Sequence, residues 1–554
     1  MALAQAASDI SGSKKHVRQG DYDVIVIGAG MSGLYLIHKL RQIAGLRFRV
    51  FDNGTDLGGT WYWNRYPGAR FDSESWSYGF AFSEEVLQEW NWREHFSAQP
   101  DTLAYMQFVA EKFDMRREIQ FSSELTRAVW REDERLWHLT FDVDGKTEEY
   151  TANLFIPALG PLSAHVMPVI EGVGTFEGPA FHTARWPKEP IDFSDKRVGI
   201  IGTGATAIQA ITEIAKTVKH LTVFQRHPNW AAPLHNREIT PAEHADIKSR
   251  YAEIYEHCRN TATCFVHNAD PRKALDLTPE EREAFWEQRY SEPGFGIWVG
   301  NFSDVLINKE ANKLLSDFME KKTRERVKDQ RIADKLIPKN HGFGTRRVPL
   351  ESGYFEVYNQ ENVLLVDVND TPIERIAPEG VQCSDRLHEF DLLIYATGFD
   401  GVTGPYDRID IRTADGRVLR DEWADDLPRT YLGVQTEGYP NMLMVLGPHT
   451  ARGNIPRNSE QIIDFVTGLV RHLWENGHTR IEPRPEPVSE WGRHVDEAAK
   501  PLLASQVKSW QTGVNRNVPG RDVLRILGYN GSAKKYRLIT ERVAAEGYQE
   551  FLID

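Results

Sequence analysis

The chain has 554 residues, 41% hydrophobic, 26% charged and 11% aromatic, which suits a globular protein with two or three cores rather than one. Its net charge of −14 speaks against a nucleic-acid binder or a membrane-surface protein, so a polyanionic ligand needs a local basic site. Cys258, Cys264 and Cys383 form no CxxC, which excludes a disulfide framework and a dithiol redox centre and fits the reducing cytoplasm.

No stretch is long and apolar enough to span a bilayer. Residues 1–20 read as a disordered tail rather than a signal peptide. The first folded segment is YDVIVIGAGMSGLYLIHKL, an apolar strand running into Gly28, Gly30 and Gly33 and then a helical period. The pattern returns 174 residues later in RVGIIGTGATAIQAITEIA, with Gly202, Gly204 and Ala207 at the turn. Both are strand–turn–helix units of dinucleotide-binding type. Each has a second strand ending 24 residues after its first glycine, in Asp52 for the first unit and Arg226 for the second. An acid at that tip accepts hydrogen bonds from ribose hydroxyls. An arginine cannot accept, but it pairs with a 2′-phosphate. The first unit therefore reads as an FAD site and the second as an NADPH site.

Between them lie a helix near 103–114 and a strand-rich stretch ending in FIPALG. Residues 236–335 turn charged and helical, an insertion into the second unit. Strands return at NVLLVDV and FDLLIYATGFD, and QIIDFVTGLVRHLWENG carries a helical apolar stripe that reads as core. The expected fold is α/β: two dinucleotide-binding domains, with a helical insertion in the second. The expected division is 21–160 and 386–554 for the FAD domain, 161–235 and 336–385 for the NADP domain, with 236–335 inserted.

Two further motifs carry a resemblance. Phe176, Gly178, His182, Trp186 and Pro187 fit F-x-G-x-x-x-H-x-x-x-W-P. Gly58, Gly59, Trp61, Tyr66, Pro67, Gly68 and Asp72 fit [A/G]-G-x-W-x-x-x-x-[F/Y]-P-G-x-x-x-D. From about residue 20 to its end the chain resembles the single-component, FAD- and NADPH-dependent Baeyer–Villiger monooxygenases. The resemblance implies that reduced flavin adds O2 to give a peroxyflavin, which attacks a ketone and yields an ester or lactone, with sulfoxidation as a side activity. Negative charge builds on the oxygen atoms along the way, and a fixed guanidinium stabilises it.

By resemblance, Arg347 supplies that charge, Asp72 holds it near the flavin, and Arg346 contacts the 2′-phosphate. Asp72 also reads as a helix N-cap before Ser73 and Glu74. Thr60, Trp61 and Tyr78 join the FAD site, and Leu125 offers its backbone to the adenine. The turn Thr203, Gly204, Ala205, Thr206, Ala207 and Gln209 meets the pyrophosphate, and His227 follows Arg226 at the phosphate. Trp510 covers the nicotinamide. The segment GPHTARGNIPRNSEQ, with His449 and Arg452, is shorter than in many relatives and borders the ketone pocket. His182 stands with Arg347 and Asp72 in the functional set, as a pin coupling the nucleotide domains. A flavin-containing N- or S-oxygenase is the nearest alternative. A disulfide reductase lacks its CxxC here, and an NADP-sensing module has no use for Asp72 or Arg347. The expected partners are a small ketone and O2, with no nucleic acid and no membrane; a monomer is compatible with the sequence.

Overall fold

A computed structural model describes residues 20–425 and 427–554. The tail expected over 1–20 falls almost wholly outside them. Two parallel-strand cores organise the chain. The first sheet contains β1 (Tyr22–Ile27), β2 (Phe48–Phe51), β3 (Ile119–Gln120), β4 (Ser123–Arg131), β5 (Leu136–Val143) and β6 (Lys146–Pro157), with β17 (Asp410–Arg412) at its edge. Their order is β17-β4-β5-β6-β1-β2-β3. β1 pairs in parallel with β2 and β6, while β4, β5 and β6 form an antiparallel meander.

The second sheet is wholly parallel, in the order β12-β9-β8-β16-β7. It comprises β7 (Ala180–His182), β8 (Arg197–Ile201), β9 (His220–Gln225), β12 (Val363–Asp367) and β16 (Leu392–Tyr395). Central strands β1, β8 and β16 are nearly continuous buried apolar runs, as sheets covered on both faces require. This corrects the expected boundary at 386: Leu392–Tyr395 pairs with Val198–Ile201 in the second sheet, so the chain leaves that unit only after Tyr395. The apolar run of β16 suits either core; pairing, which sequence does not display, decides between them.

The chain then returns to the first unit. Leu443 N–H donates to the Phe155 carbonyl at 2.9 Å, alongside β6. The helix Ile455–Asn476 buries Ile462, Phe465, Val466, Leu469, Val470 and Leu473, so its stripe is core. Ser459 and Asp464 on this helix bond Ser32 and Tyr35 of the first turn's helix, at 3.1 and 2.9 Å. The expected helix near 103–114 spans Gln99–Lys112, starting early because Pro100 occupies its first turn. The insertion is helical as read. Capping boxes at Thr240/Glu243 and Thr278/Glu281 start two of its helices, and its Phe285, Trp286 and Phe318 share a core with Phe96, Trp230 and Leu350 from outside it.

Candidate active site

The two glycine turns are built alike. Gly28 and Gly202 have φ of +109° and +114°, a region that penalises a side chain. A Cβ on Gly28 would come within 2.6 Å of the Ala158 carbonyl oxygen, and one on Gly202 within 2.4 Å of that of Ala396. PALG and ATGF thus close the two turns in matching places. Gly33 lies against the Gly28 carbonyl, where a Cβ would come within 2.0 Å, whereas the second helix accommodates Ala207.

The cradles themselves differ. In the first, Gly30 faces Gly59 of the GGTW loop, at 3.4 Å from its ideal Cβ position. Asp52 is buried, and its two oxygens accept the Ala29 amide at 2.6 Å and the Gly54 amide at 2.7 Å. Burial pushes its carboxyl above the usual range, against the pull of those amides. Thr60 and Trp61 begin a short helix; Trp61 Nε1 donates to the Tyr78 hydroxyl at 3.1 Å, and Tyr78 stacks on Phe71 at 4.1 Å. Leu125 lies on β4 at a register shift opposite Phe141.

In the second cradle, Gly204 has an ordinary φ of −79° and no protein atom within 4 Å of the place a Cβ would take. Among the described residues nothing requires glycine there, and the bare backbone opens onto free space at the helix N-terminus. Ala205 and Thr206 begin the helix beyond it, with Thr206 Oγ1 3.2 Å from Thr183 Oγ1. The Thr203 hydroxyl donates to the His227 carbonyl at 3.0 Å, tying the turn to the neighbouring strand tip.

At that tip Arg226 and Arg346 meet a third arginine, Arg516. Among the described residues none of the three guanidiniums has a hydrogen-bond or ion-pair partner, and Arg346 Nε is buried without one. Partial desolvation pushes Arg226 and Arg346 down, and repulsion from Arg516 and Arg226 respectively adds to it. The His227 ring is lowered by burial and then by all three arginines. Cations gathered without a counter-ion form a site for a strongly charged anion. The sequence reading missed Arg516; its only signal was its closeness to the SWQTGVN stretch.

Between the cradles lies the pair Arg347–Asp72. Arg347 Nη2 donates to Asp72 Oδ2 at 2.9 Å, and its Nη1 to the Val348 carbonyl at 2.8 Å. The same Asp72 oxygen accepts the Leu350 amide at 3.2 Å. Burial raises the Asp72 carboxyl, opposed by Arg347 and that amide. The guanidinium also packs over the rings of Phe295 and Trp298, at 4.9 and 5.5 Å. Both rings come from the helical insertion, and sequence reading missed them. Asp72 does not cap: Glu74 is the N-cap of the helix Ser75–Tyr78, with no side-chain cap.

Gln209 does more than follow the turn. Its side chain accepts from the Tyr66 hydroxyl at 2.8 Å and donates to the Arg70 carbonyl at 3.1 Å, with Asp72 at 3.4 Å. A Cβ on Gly68 would come within 2.7 Å of the Gln209 carbonyl. The loop from Tyr66 to Asp72 is thereby keyed into the second unit's helix.

His182 ends β7 beside Tyr395. Its Nδ1 accepts the Ala184 amide at 3.0 Å, and its Nε2 is buried without a partner. Burial, then His165 and Arg185, push the ring down to about 3, so it is neutral at physiological pH. It touches His165 and Phe399, where the chain crosses between the units. Trp510 stands against Gly401, and Asn515 donates to the Phe399 carbonyl at 3.1 Å.

Two glycine-turn cradles with a buried acid at one strand tip and unpaired arginines at the other, bridged by a fixed Arg–Asp pair, define a two-dinucleotide flavoprotein. A family model described as flavin-binding monooxygenase-like matches residues 21–252. The 2-oxo-Delta(3)-4,5,5-trimethylcyclopentenylacetyl-CoA monooxygenase of Pseudomonas putida is 42% identical, over 96% of this chain and 98% of its own. The acetone monooxygenase (methyl acetate-forming) of Gordonia sp. (strain TY-5) is also 42% identical, over 96% and 99%. A crystal structure of OTEMO in complex with FAD and NADP matches with a TM-score of 0.92 at 41% identity, covering 97% of this chain and all of that one. The closed structure of cyclohexanone monooxygenase matches with a TM-score of 0.92 at 39% identity, covering 96% and 99%. The chain belongs to the Baeyer–Villiger monooxygenases, the single-component flavoproteins that draw on FAD and NADPH. Among the described residues no helix is long and apolar enough to cross a membrane.

Proposed function

We propose that this chain converts a small ketone and O2 into an ester or lactone, with Arg347 stabilising the charge that develops on oxygen. The observation that carries the reading is the anchoring of Arg347 between the two cradles, by Asp72 on one side and the Phe295 and Trp298 ring faces on the other. Bound FAD, reduced by NADPH, supplies the activated oxygen. The residues that would hold it are Gly28, Gly30, Gly33, Asp52, Thr60, Trp61, Asp72, Tyr78 and Leu125. Asp52 keeps a second lone pair on each oxygen for a ribose hydroxyl. Thr203, Gly204, Ala205, Thr206, Ala207 and Gln209 would receive the NADPH pyrophosphate, and Arg226, His227, Arg346 and Arg516 its 2′-phosphate. Trp510 would cover the nicotinamide.

Arg347 has five N–H donors, and two are committed to Asp72 and Val348. The other three are left for oxygen atoms of the reacting centre. Fixed donors stabilise developing charge without reorganising at the moment of reaction. Asp72 performs no proton transfer in this scheme; it sets the position and charge of its partner. His182, neutral and buried, maintains the joint between the units.

The test is Arg347→Ala, assayed with NADPH, O2 and a panel of cyclic, linear and aryl ketones and sulfides, with products identified by mass spectrometry. NADPH should still bleach the flavin, and ester should vanish. Ester formation at the wild-type rate would overturn the role of Arg347.

A further inference from the structure

Several buried or half-buried arginines of this molecule lie beside carboxylates, and buried Arg525 donates instead to the Trp423, Ala424 and Gly520 carbonyls. Arg457 pairs with Glu460 at 2.9 Å, Arg326 with Glu351 and Glu356 at 2.6 Å each, and Arg521 with Asp400 and Asp407. Arg452 has no carboxylate partner among the described residues. Its one protein hydrogen bond runs from Nη2 to the Gln511 carbonyl, at 2.7 Å. Gly528 lets the group approach closely: a Cβ there would come within 1.9 Å of Arg452 Nε, so the bare backbone packs against it.

Arg452 is half-buried, and desolvation pushes its guanidinium down to about 10. It nevertheless keeps an accessible face, while Ala451 before it and Asn454 beyond it are buried. Its guanidinium is thus neither fully enclosed nor freely solvated. Its neighbours say where it stands. Asn454, two residues on, donates to the Ser77 carbonyl at 3.3 Å, next to Tyr78 of the flavin-side aromatic wall. Gln511, on the other side, follows Trp510, which stands against Gly401 at the crossing between the units. Arg452 thus sits between the flavin wall and the nicotinamide cover.

A half-buried cation without a counter-ion is only partly solvated, and an anionic ligand would compensate it. We infer that Arg452 is the anchor for an anionic group on the substrate, so that the ketones this enzyme prefers carry a carboxylate several bonds from the carbonyl. The inference rests on the oxygenation reading above and names the substrate class for that pocket. The same cation could instead serve negative charge on the reduced flavin, and the experiment separates the two.

Holoenzyme is assayed with 4-oxopentanoate and 3-oxocyclopentane-1-carboxylate, each against its methyl ester. Wild-type kcat/KM should favour the acids by tenfold or more. In Arg452→Gln that ratio should collapse by at least tenfold, through KM for the acids rather than kcat, and Arg452→Lys should restore part of it. Titration of the acids by flavin fluorescence without NADPH should show the same loss of affinity, and the flavin midpoint potential should not move. A wild-type enzyme that oxidises the esters as well as the acids, or an acid-to-ester ratio unaltered in Arg452→Gln, overturns the anchor. A shifted midpoint potential with an unaltered ratio also overturns it and assigns the cation to the flavin. Failure to form ester from any ketone, neutral ones included, sinks the oxygenation reading instead.

Discussion

Replacing Arg226 with alanine tests the electrostatics of the second cradle from two sides. With NADPH bound, the change removes a charge-assisted contact worth about 1.5–3 kcal/mol, which is roughly a 10- to 150-fold loss of affinity. Without nucleotide, the change removes a cation that Arg516 repels and that in turn repels Arg346. The nucleotide-free protein should therefore melt at the wild-type temperature or above it, since Arg226 is exposed and little packing is lost with it. The contrast is measurable in one experiment. NADPH at a concentration 100 times its wild-type Kd stabilises the native state by about 2.7 kcal/mol. If the variant binds a hundredfold more weakly, the same concentration adds only about 0.4 kcal/mol. Thermal melts with no nucleotide, NADPH and NADH, supported by titration calorimetry, read all three states. Equal losses for NADPH and NADH, or a clear fall in the nucleotide-free melting temperature, would refute the reasoning.

The remaining expectations concern the other cradle, the central pair and pH. Gly204→Ala should leave stability within about 0.5 kcal/mol of wild type yet weaken NADPH, because its Cβ fills only open space; Gly202→Ala should instead destabilise the fold, since its Cβ would meet the Ala396 carbonyl. Chemical denaturation and nucleotide titration of the two variants distinguish these outcomes. Asp72→Asn should lower stability by about 1–3 kcal/mol, below the usual cost of breaking a buried pair because Arg347 is partly exposed. It should also slow flavin reduction or oxygenation in stopped flow; wild-type kinetics would dismiss the positioning role. His182 titrates near 3 when folded and near 6.5 when unfolded, so the unfolded state binds the extra proton and stability falls as pH drops below about 6.5. His182→Asn should flatten that fall by about 2 kcal/mol between pH 8 and pH 5. An unchanged urea-midpoint profile would show that the ring is not neutral in the native state.

Local signals carried much of this architecture into view. A glycine turn, its strand and its tip residue lie within a few dozen residues, so both cradles and their opposite charges could be read directly from the chain. The central pair was legible only through motif resemblance, because Asp72 and Arg347 stand 275 residues apart. Phe295 and Trp298 were lost in a stretch that reads simply as charged helix, since an aromatic residue in an insertion announces a core rather than an arginine platform. Arg516 was hidden for a related reason: a lone arginine in a loop is ordinary until folding sets it beside Arg226 and Arg346. The boundary at 386 failed because strand membership is a matter of pairing, and Leu392–Tyr395 is apolar enough for either sheet. Asp52 was placed correctly at its strand tip, but its bonds to the Ala29 and Gly54 amides depend on a turn geometry that residue types do not encode.

The keying of Tyr66 and Gly68 into the helix that bears Gln209 has a consequence for anyone recombining these enzymes. The second unit is not an exchangeable cassette. A crossover that takes residues 66–72 from one parent and 203–213 from another would pair a lock with a foreign key, however well each half suits its own nucleotide. Libraries that inherit both segments together should yield a larger share of folded, coloured protein than libraries that split them, even when both carry the same number of substitutions.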